Sequence, residues 1–488
     1  MIDTETQQQF VAAEHDVERR SGELRKELRL GDLILAQLIY IVGPQFLGTA
    51  GKLGPAQFIY WIPAVFLFYI PTGIVVIHLS GEMPLEGGLY QWAKLRFGEL
   101  TGFLVALNLW ATAVLLISSL ISMLTDSLAY AAGPNAGSIV NNHIVNSAIA
   151  ALLLGTLMFL SLRGLHVVKW FHDFGGLAFL LLFLALIAFT LPRWLHGTAV
   201  TAPVAFVFPA VTLLNLNIAG KMGFGAFSGL EGSAVFSGEV RSPKVARTLR
   251  RAILLGGPLI ALIYILGTSC VLAFTRPADM DLVSPIGQAL ARGSAGTPLA
   301  QVVPDAVALL LFCAVGATAS LYFNSVVRLP MVAGWDRLLP AWLSRLHPRF
   351  KTPTGSIVAV GATTFVLAVL GNIGVGTQEG FQILFSAALI CWSLAYVVMY
   401  AIPLAARGEK PPLGVRIAAV SGLGMTLLFA VLSIFPIIDV KNPGAFTAKL
   451  VVLITGINAA GAWYFHRASR RRAAVHEKPR TSADNTPR

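Results

Sequence analysis

The amino-acid sequence predicts an all-α integral membrane protein with twelve transmembrane helices, an inverted 5+5 repeat and discontinuous helices 1 and 6. Of its 488 residues, 12 % are charged and 56 % hydrophobic, whereas a soluble domain carries about 25 % charged residues. Apolar residues also form runs of about 20, the length that crosses a bilayer as a helix. Two of these runs, five spans apart, are interrupted by glycine, which is typical of an inverted repeat with a midplane binding site.

Twelve apolar spans fill the predicted transmembrane domain, 31–466, between an N-terminal tail (1–30) and a C-terminal tail (467–488). Spans 1–5 and 6–10 are expected to form the two repeats, with spans 11 and 12 as accessory helices. The spans are expected at about 32–51, 57–79, 99–124, 143–163, 168–192, 207–238, 252–275, 302–327, 355–372, 380–405, 412–436 and 447–466.

Basic residues predict the orientation. With the N-terminus inside, the inner segments carry 29 Lys and Arg residues and the outer loops carry 6. Because cytoplasmic loops are enriched in Lys and Arg, we expect a multi-pass protein of the cytoplasmic membrane with both termini in the cytoplasm. The bilayer surface then accounts for most of the net charge of +12, and no nucleic-acid partner is expected.

The first span reads LILAQLIYIVGPQFLGTAGKLGP and is interrupted by Gly43, Pro44, Gly48 and Gly51. Pro44 removes a backbone donor and disfavours helical angles at residue 43. The pattern is consistent with a simple proline kink or with an unwound segment.

The sixth span contains GKMGFGAFSGLEGSAVFSGEVRSP, with five glycines between Gly220 and Gly232. Opened backbone at membrane depth is tolerated only where protein or a water-filled cavity satisfies it. We therefore expect a break near Ala226–Gly229, with Glu231 beginning the second half. In an inverted repeat the two breaks face each other, and their exposed amides and carbonyls suit a zwitterion.

Two ionisable residues lie within this span, where each is a functional hypothesis. Glu231 is a candidate to hold a proton, to pair with a substrate amine or with Lys221, or to cap the second half-helix. Lys221 either extends its charge to the outer headgroups or vestibule, or its charge occupies a cation site or repels cationic substrates.

Polar residues in other spans allow two interpretations each. In span 8, Ser320 and Asn324 (with Thr318 and Ser325) either bind Na⁺ together with span-1 carbonyls or bond to neighbouring helices.

Six further residues either line a pocket or pack: Asn108, Trp110 and Tyr130 near span 3, and Gln382, Trp392 and Tyr396 in span 10. In span 5, His172 and Asp173 either lie at a solvated helix end or form a proton exit or an inner gate.

Three motifs carry a family resemblance. They are AFSGLEGSAVFSGEVRSPKVARTLRRAI in span 6, MPLEGGLYQWAKLRFGELTGFLVALNLW around span 3, and RLPMVAGWDRLLPAWLSRLHPRFKTP after span 8. Together they resemble the amino acid–polyamine–organocation superfamily of permeases over about residues 30–410.

The resemblance implies that the substrate backbone is bound at both breaks, with Phe227 and Glu231 in gating or substrate coupling. The expected substrate-binding residues are Gly43, Pro44, Gln45, Gly48, Ala226, Phe227, Ser228, Gly229 and Glu231, and the coupling or gating candidates are Lys221, Glu231, Ser320 and Asn324. Two features depart from the family pattern. The usual Gly-x-Gly turn of span 1 is Gly43-Pro44-Gln45, and the middle of span 5 lacks the lysine through which some members couple protons.

We therefore expect a secondary transporter that moves an amino acid by alternating access, with proton-coupled import favoured over exchange. A polyamine or other organic-amine carrier is the alternative; it would need a second carboxylate, for which Asp126 is a candidate. A non-transporting sensor and a membrane-embedded enzyme are remoter alternatives. The sequence contains no P-loop, no catalytic elbow and no metal-ligand spacing among Cys270, Cys313, Cys391 and the histidines, so we expect no enzyme activity, metal or cofactor.

Overall fold

A computed structural model describes residues 29–83, 88–132, 142–202, 205–206, 208, 210–231, 240–242, 245–330, 338–371, 377–405 and 410–476. The expected tails, apart from residues 29–30 and 467–476, and the second half of span 6 therefore lie outside the described residues. The side chains of Asp126 and Tyr130 lie outside them too.

The described chain is α-helical, and its β features are an isolated bridge between Leu346 and Pro353 and a bridge residue at Val240. Short 3₁₀ turns or wide π turns join or interrupt several helices. The α-helices are α1 Leu30–Ile41, α2 Gln45–Gly51, α3 Gln57–Pro63, α4 Ile70–Glu82, α5 Leu89–Phe97, α6 Glu99–Ala132, α7 His143–Arg163, α8 Leu165–Leu195, α9 Leu213–Gly220, α10 Val245–Leu272, α11 Pro285–Ser294, α12 Val302–Val326, α13 Ala341–Ser344, α14 Thr354–Gly371, α15 Thr377–Leu404, α16 Leu413–Leu432 and α17 Pro443–His476.

Nine helical stretches of the described chain are long and apolar enough to cross a membrane, and the bent pair α1 and α2 makes a tenth. The all-α, multi-pass membrane class is thus confirmed. The twelve-span count and the inverted repeat stay predictions. Span 6 is described only as far as Glu231, and span 9 is the shorter apolar helix α14.

The first span is broken where its sequence predicts. Helix α1 ends at Ile41, Val42 is extended, and α2 begins at Gln45 at an angle of 51° to α1. Three residues leave the helix, which is more than the kink that proline alone produces. The unwound-segment interpretation therefore describes this stretch.

The sixth span also opens where predicted. Helix α9 passes into a wide π turn, Lys221–Gly225, and residues 228–231 are not helical. Gly229 has φ +121°, a region that residues with a Cβ rarely adopt. The break thus lies at Ser228–Glu231, beside the expected Ala226–Gly229.

Helices α6, α12 and α15 form the centre of the bundle around the two breaks. In their most apolar stretches 78 %, 67 % and 78 % of the residues are buried, against 28 % in α7 and 22 % in α17. A helix that is apolar all round and buried belongs to the interior of a membrane bundle. The broken spans are therefore held by the most buried helices of the described chain.

Candidate functional site

The two breaks line one cavity. Gly43, Pro44 and Gln45 of the first span and Gly225 and Ser228 of the sixth surround a space of about 30 Å³, which we call the break cavity. Its remaining wall comes from α6, α12 and α15. The structure thus brings together four expected site residues, namely Gly43, Pro44, Gln45 and Ser228.

Hydroxyl groups from two other helices satisfy the end of α1. The last carbonyls of a helix have no partner within it. Here Thr318 donates to the Ile39 carbonyl at 3.2 Å, Tyr322 donates to the Tyr40 carbonyl at 2.7 Å, and Tyr264 donates to the Ile41 carbonyl at 2.7 Å. The carbonyls expected to attract an ammonium or Na⁺ therefore already accept protein hydrogen bonds.

The amides of the first break are also engaged. The Gly43 amide donates to the Tyr264 hydroxyl at 3.1 Å, and the amides of Phe46 and Leu47 donate to the carbonyls of Gly43 and Pro44.

By contrast, the buried Oε1 of Gln45 has no hydrogen-bond partner among the described residues. A buried acceptor without a partner costs about 1–3 kcal/mol. This wall of the break cavity therefore offers an acceptor to a ligand that carries N–H groups.

Glu231 lines a second cavity. This space of about 40 Å³, the Glu231 cavity, is also bordered by Thr112, Ser325 and Leu89. The carboxylate is buried and accepts side-chain hydrogen bonds from Trp392 Nε1 at 2.7 Å and from the Tyr396 hydroxyl.

Tyr396 also joins Glu231 to the break itself. Its hydroxyl accepts the Gly229 amide at 2.9 Å. Both oxygens of Glu231 are thus held by α15, and the break is tied to the same helix. A ligand cation that approaches Glu231 therefore competes with the neutral donors of Trp392 and Tyr396 for the carboxylate oxygens.

Three aromatic residues border both cavities. Tyr40 stacks on Tyr322 with 4.3 Å between ring centroids, and Trp392 meets both rings edge-on at 6.0 and 6.1 Å. We call these three residues the aromatic partition.

The two cavities lie on opposite sides of this partition. The break cavity touches residues 315 and 318 of α12, whereas the Glu231 cavity touches residues 325 and 326 of the same helix. A water molecule needs about 10–15 Å³ of such space. Each cavity therefore admits a few waters, and a larger solute requires the partition to move.

Other expected binding residues lie outside both cavities. Phe227 is buried among the rings of Trp61, Tyr69 and Tyr264, with centroids 5.1–5.6 Å away. A Cβ on Gly48 would lie 2.5 Å from the Asp281 carbonyl oxygen, so this glycine permits close packing before α11. Ala226 is buried and lines neither cavity.

Lys221 does not reach the membrane surface. Its side chain is 2 % exposed, its Nζ donates to Ser386 Oγ at 3.2 Å, and it lies 6.0 Å from the centre of the Phe429 ring. The interpretation as a lysine that extends to the headgroups is wrong, because α15 and α16 enclose the π turn that carries it. No ion pair to Lys221 occurs among the residues that the structure describes.

The solvated-end interpretation of His172 is also wrong. The side chain is buried, and its Nε2 lies 3.2 Å from Ser320 Oγ. Asn324 donates to the Ser320 carbonyl at 2.8 Å. Ser320 thus faces α8 and Asn324 bonds back to Ser320, while Thr318 and Tyr322 of the same helix face α1.

A sequence profile described as amino acid permease matches residues 31–458. The chain belongs to the amino acid permease family. This family lies within the superfamily that the three motifs indicate, so that resemblance is confirmed.

Curated relatives of the permease are named as transporters. An uncharacterized transporter of Legionella pneumophila is 24 % identical over 445 residues, which cover 88 % of this chain and 94 % of the relative. A probable agmatine/putrescine antiporter of Lactococcus lactis is 21 % identical over 377 residues (77 % and 78 %). A methylthioribose transporter of Bacillus subtilis is 25 % identical over 416 residues (76 % and 82 %). The permease is therefore a multi-pass membrane transporter.

Sequence reasoning missed Tyr40, Tyr264 and Tyr322 of the permease. Each places a hydroxyl within an apolar span, and a buried tyrosine hydroxyl usually has a hydrogen-bond partner. That signal could have marked them as partners of opened backbone. Trp392 and Tyr396 were pocket candidates, and the structure places Trp392 against both cavities and Tyr396 on Glu231.

Proposed function

We propose that the permease is a secondary transporter that moves a small amine-bearing solute, with an amino acid as the first candidate, by alternating access. The observation that carries this proposal is the buried Glu231 carboxylate at the second break, which lines a cavity one aromatic layer away from the break cavity. A buried carboxylate within a span marks a substrate or ion pathway. The amine of the solute exchanges with the Trp392 and Tyr396 donors on Glu231.

The aromatic partition supplies the gate in this proposal. With the N-terminus inside, the break cavity faces the outside and the Glu231 cavity faces the cytoplasm. The solute then passes from one to the other as Tyr40, Tyr322 and Trp392 separate. We propose that alternating access results from movement of two inverted repeats, spans 1–5 and 6–10, relative to each other. The paired breaks support this arrangement.

Proton-coupled import is the first candidate for energy coupling, and exchange is the second. The coupling candidates are Glu231, Lys221, Ser320 and Asn324. Burying an ammonium group without a carboxylate partner costs free energy, and this cost supports a role for Lys221 in coupling.

Phe227 is proposed to act in gating through Tyr264, whose hydroxyl binds the first break.

An organic amine without a carboxylate is the second candidate substrate. One observation favours it: three amides of the first break already have acceptors, whereas Gln45, whose Oε1 has no described partner, and Glu231 line the cavities. A relative from Lactococcus lactis is named a probable agmatine/putrescine antiporter.

Counterflow in liposomes tests the proposal. Liposomes containing the purified permease would be loaded with one unlabelled compound from a panel of the twenty amino acids, putrescine, spermidine and agmatine. Entry of the same compound in labelled form would then be measured. We expect exchange of a few amines, reduced about 30-fold by Glu231→Gln because one charge-assisted interaction contributes about 2 kcal/mol. The control is Glu379→Gln, an acid that lies 3.9 Å from Lys449 and borders neither cavity.

The same panel separates the alternatives. Exchange of amino acids supports the first candidate, and exchange of polyamines alone supports the second. Ligands that raise the Tm without any exchange would indicate a sensor and contradict transport.

A further inference from the structure

His172 is a buried titratable group that the proposed substrate path does not use. It borders neither cavity, and it contacts α12 at Ser320, whereas Thr318 and Tyr322 of that helix contact the first span. Its Nε2 contacts the hydroxyl of Ser320, which is 0 % exposed.

The polar groups around Ser320 fit a neutral imidazole. Asn324 Nδ2 lies 3.4 Å from Ser320 Oγ and carries only hydrogens to donate. The Ser320 hydroxyl hydrogen is then free to be donated to His172 Nε2, which leaves the ring hydrogen on Nδ1.

Protonation reverses this hydrogen bond. A proton that binds at Nε2 turns the ring into a donor on both nitrogens. Ser320 Oγ must then accept from His172, and its hydroxyl hydrogen must turn to another acceptor, such as a carbonyl one helical turn earlier. One proton thus changes the contact between α8 and α12.

Helix α12 connects this contact to the first break. Thr318 and Tyr322, two residues before and after Ser320, donate to the carbonyls of Ile39 and Tyr40. The two helices are also closely packed, since a Cβ on Gly175 would lie 3.0 Å from the Cys313 carbonyl oxygen. A shift of α12 against α8 therefore moves the groups that hold the break.

We propose that His172 is the proton-binding site of the permease and that Ser320 transmits its protonation through α12 to the first span. The inference rests on the proposed transport function and deepens it. The charged groups on the elements around His172 are Lys169 and Asp173 on α8, Asp32 on α1 and Arg328 after α12. Lys169 and Asp32 pair with each other at 2.9 Å.

The test compares exchange with proton-driven accumulation in the same liposomes. The probe is any panel compound that wild type exchanges, with the membrane potential clamped and a pH step of one unit. Coupling to one proton allows about tenfold accumulation for such a step, because a tenfold ratio corresponds to about 1.4 kcal/mol. We expect His172→Gln, whose amide still reaches Ser320 but does not titrate, to keep counterflow and to lose accumulation. Its exchange rate should no longer vary with pH, whereas the wild-type rate should.

His78→Gln is the matched control, because His78 lies on α4 beside Glu82 at 3.4 Å and should keep full accumulation. Ser320→Ala should behave as His172→Gln does.

Three results would overturn the inference. In the first, His172→Gln still accumulates the probe tenfold. In the second, it loses counterflow together with accumulation, which would make His172 structural. In the third, Asp173→Asn abolishes the pH dependence while His172→Gln does not. If wild type itself exchanges no panel compound, the transport proposal fails first, and the inference fails with it.

Discussion

The two breaks at the centre of the permease are held in different ways. The first, between α1 and α2, is held by hydroxyl groups from α10 and α12, which bind three carbonyls and one amide. The second, at Ser228–Glu231, is tied to Tyr396 and Trp392 of a single helix, α15, and depends on the backbone freedom of a glycine. The comparison indicates a fixed first break and a second break that carries the charge and can rearrange.

The largest expected effect comes from Gly229→Ala. The φ of +121° is strained for alanine, and its Cβ would lie 2.7 Å from a ring carbon of Tyr40, which is itself stacked on Tyr322. We expect a loss of about 3 kcal/mol in stability from strain and overpacking combined, measured as a fall in Tm in detergent. Gly43→Ala is the control, because its Cβ would meet only the flexible end of Gln45. Equal Tm losses in both variants would contradict the comparison.

Tyr264→Phe should come next. It removes the donor to the Ile41 carbonyl and the acceptor of the Gly43 amide, and unsatisfied buried groups cost about 1–3 kcal/mol. We expect a lower Tm but a preserved preference among panel solutes. Tyr396→Phe, measured beside it, should instead reduce exchange more than stability, since it acts on Glu231. If the two variants exchanged these phenotypes, the first break would be the mobile one.

Tyr322→Phe should have a smaller effect. The ring and its stacking on Tyr40 remain, while one hydrogen bond to the Tyr40 carbonyl is lost. A single neutral hydrogen bond contributes about 1 kcal/mol, which thermal unfolding can resolve. Tyr322→Ala also removes the partition, so we expect faster passive leak of the probe in that variant alone. Equal leak in both variants would exclude the ring as a barrier.

Lys221→Met should change stability least. The side chain is buried against Ser386 and Phe429 without a described carboxylate, and replacing a buried charge by a well-packed apolar group is often neutral or stabilising by about 1 kcal/mol. Any effect should therefore appear in the ratio of accumulation to counterflow. Unchanged accumulation would remove Lys221 from the coupling candidates.

Much of this architecture follows from local sequence. Pro44 and Gly229 break their spans wherever the spans pack, because one lacks a donor and the other tolerates positive φ. Glu231 stands out because a carboxylate in an apolar run is rare. Gly48, Ala226 and Phe227 were expected to bind substrate, yet they pack outside both cavities, since adjacency along the chain does not decide which face a residue presents.

The membrane class, the positions of both breaks and the presence of an acid within a span could be predicted from the sequence. These features depend on composition and on backbone preferences within a few residues. Which side chains satisfy the opened backbone depends instead on how the helices pack: Tyr264 and Tyr322 reach α1 across 223 and 282 residues of chain. Only the tertiary structure shows this packing, which also encloses Lys221 and His172. The reason is that an apolar span is equally stable against lipid and against another helix, so hydropathy cannot encode which helix becomes the neighbour.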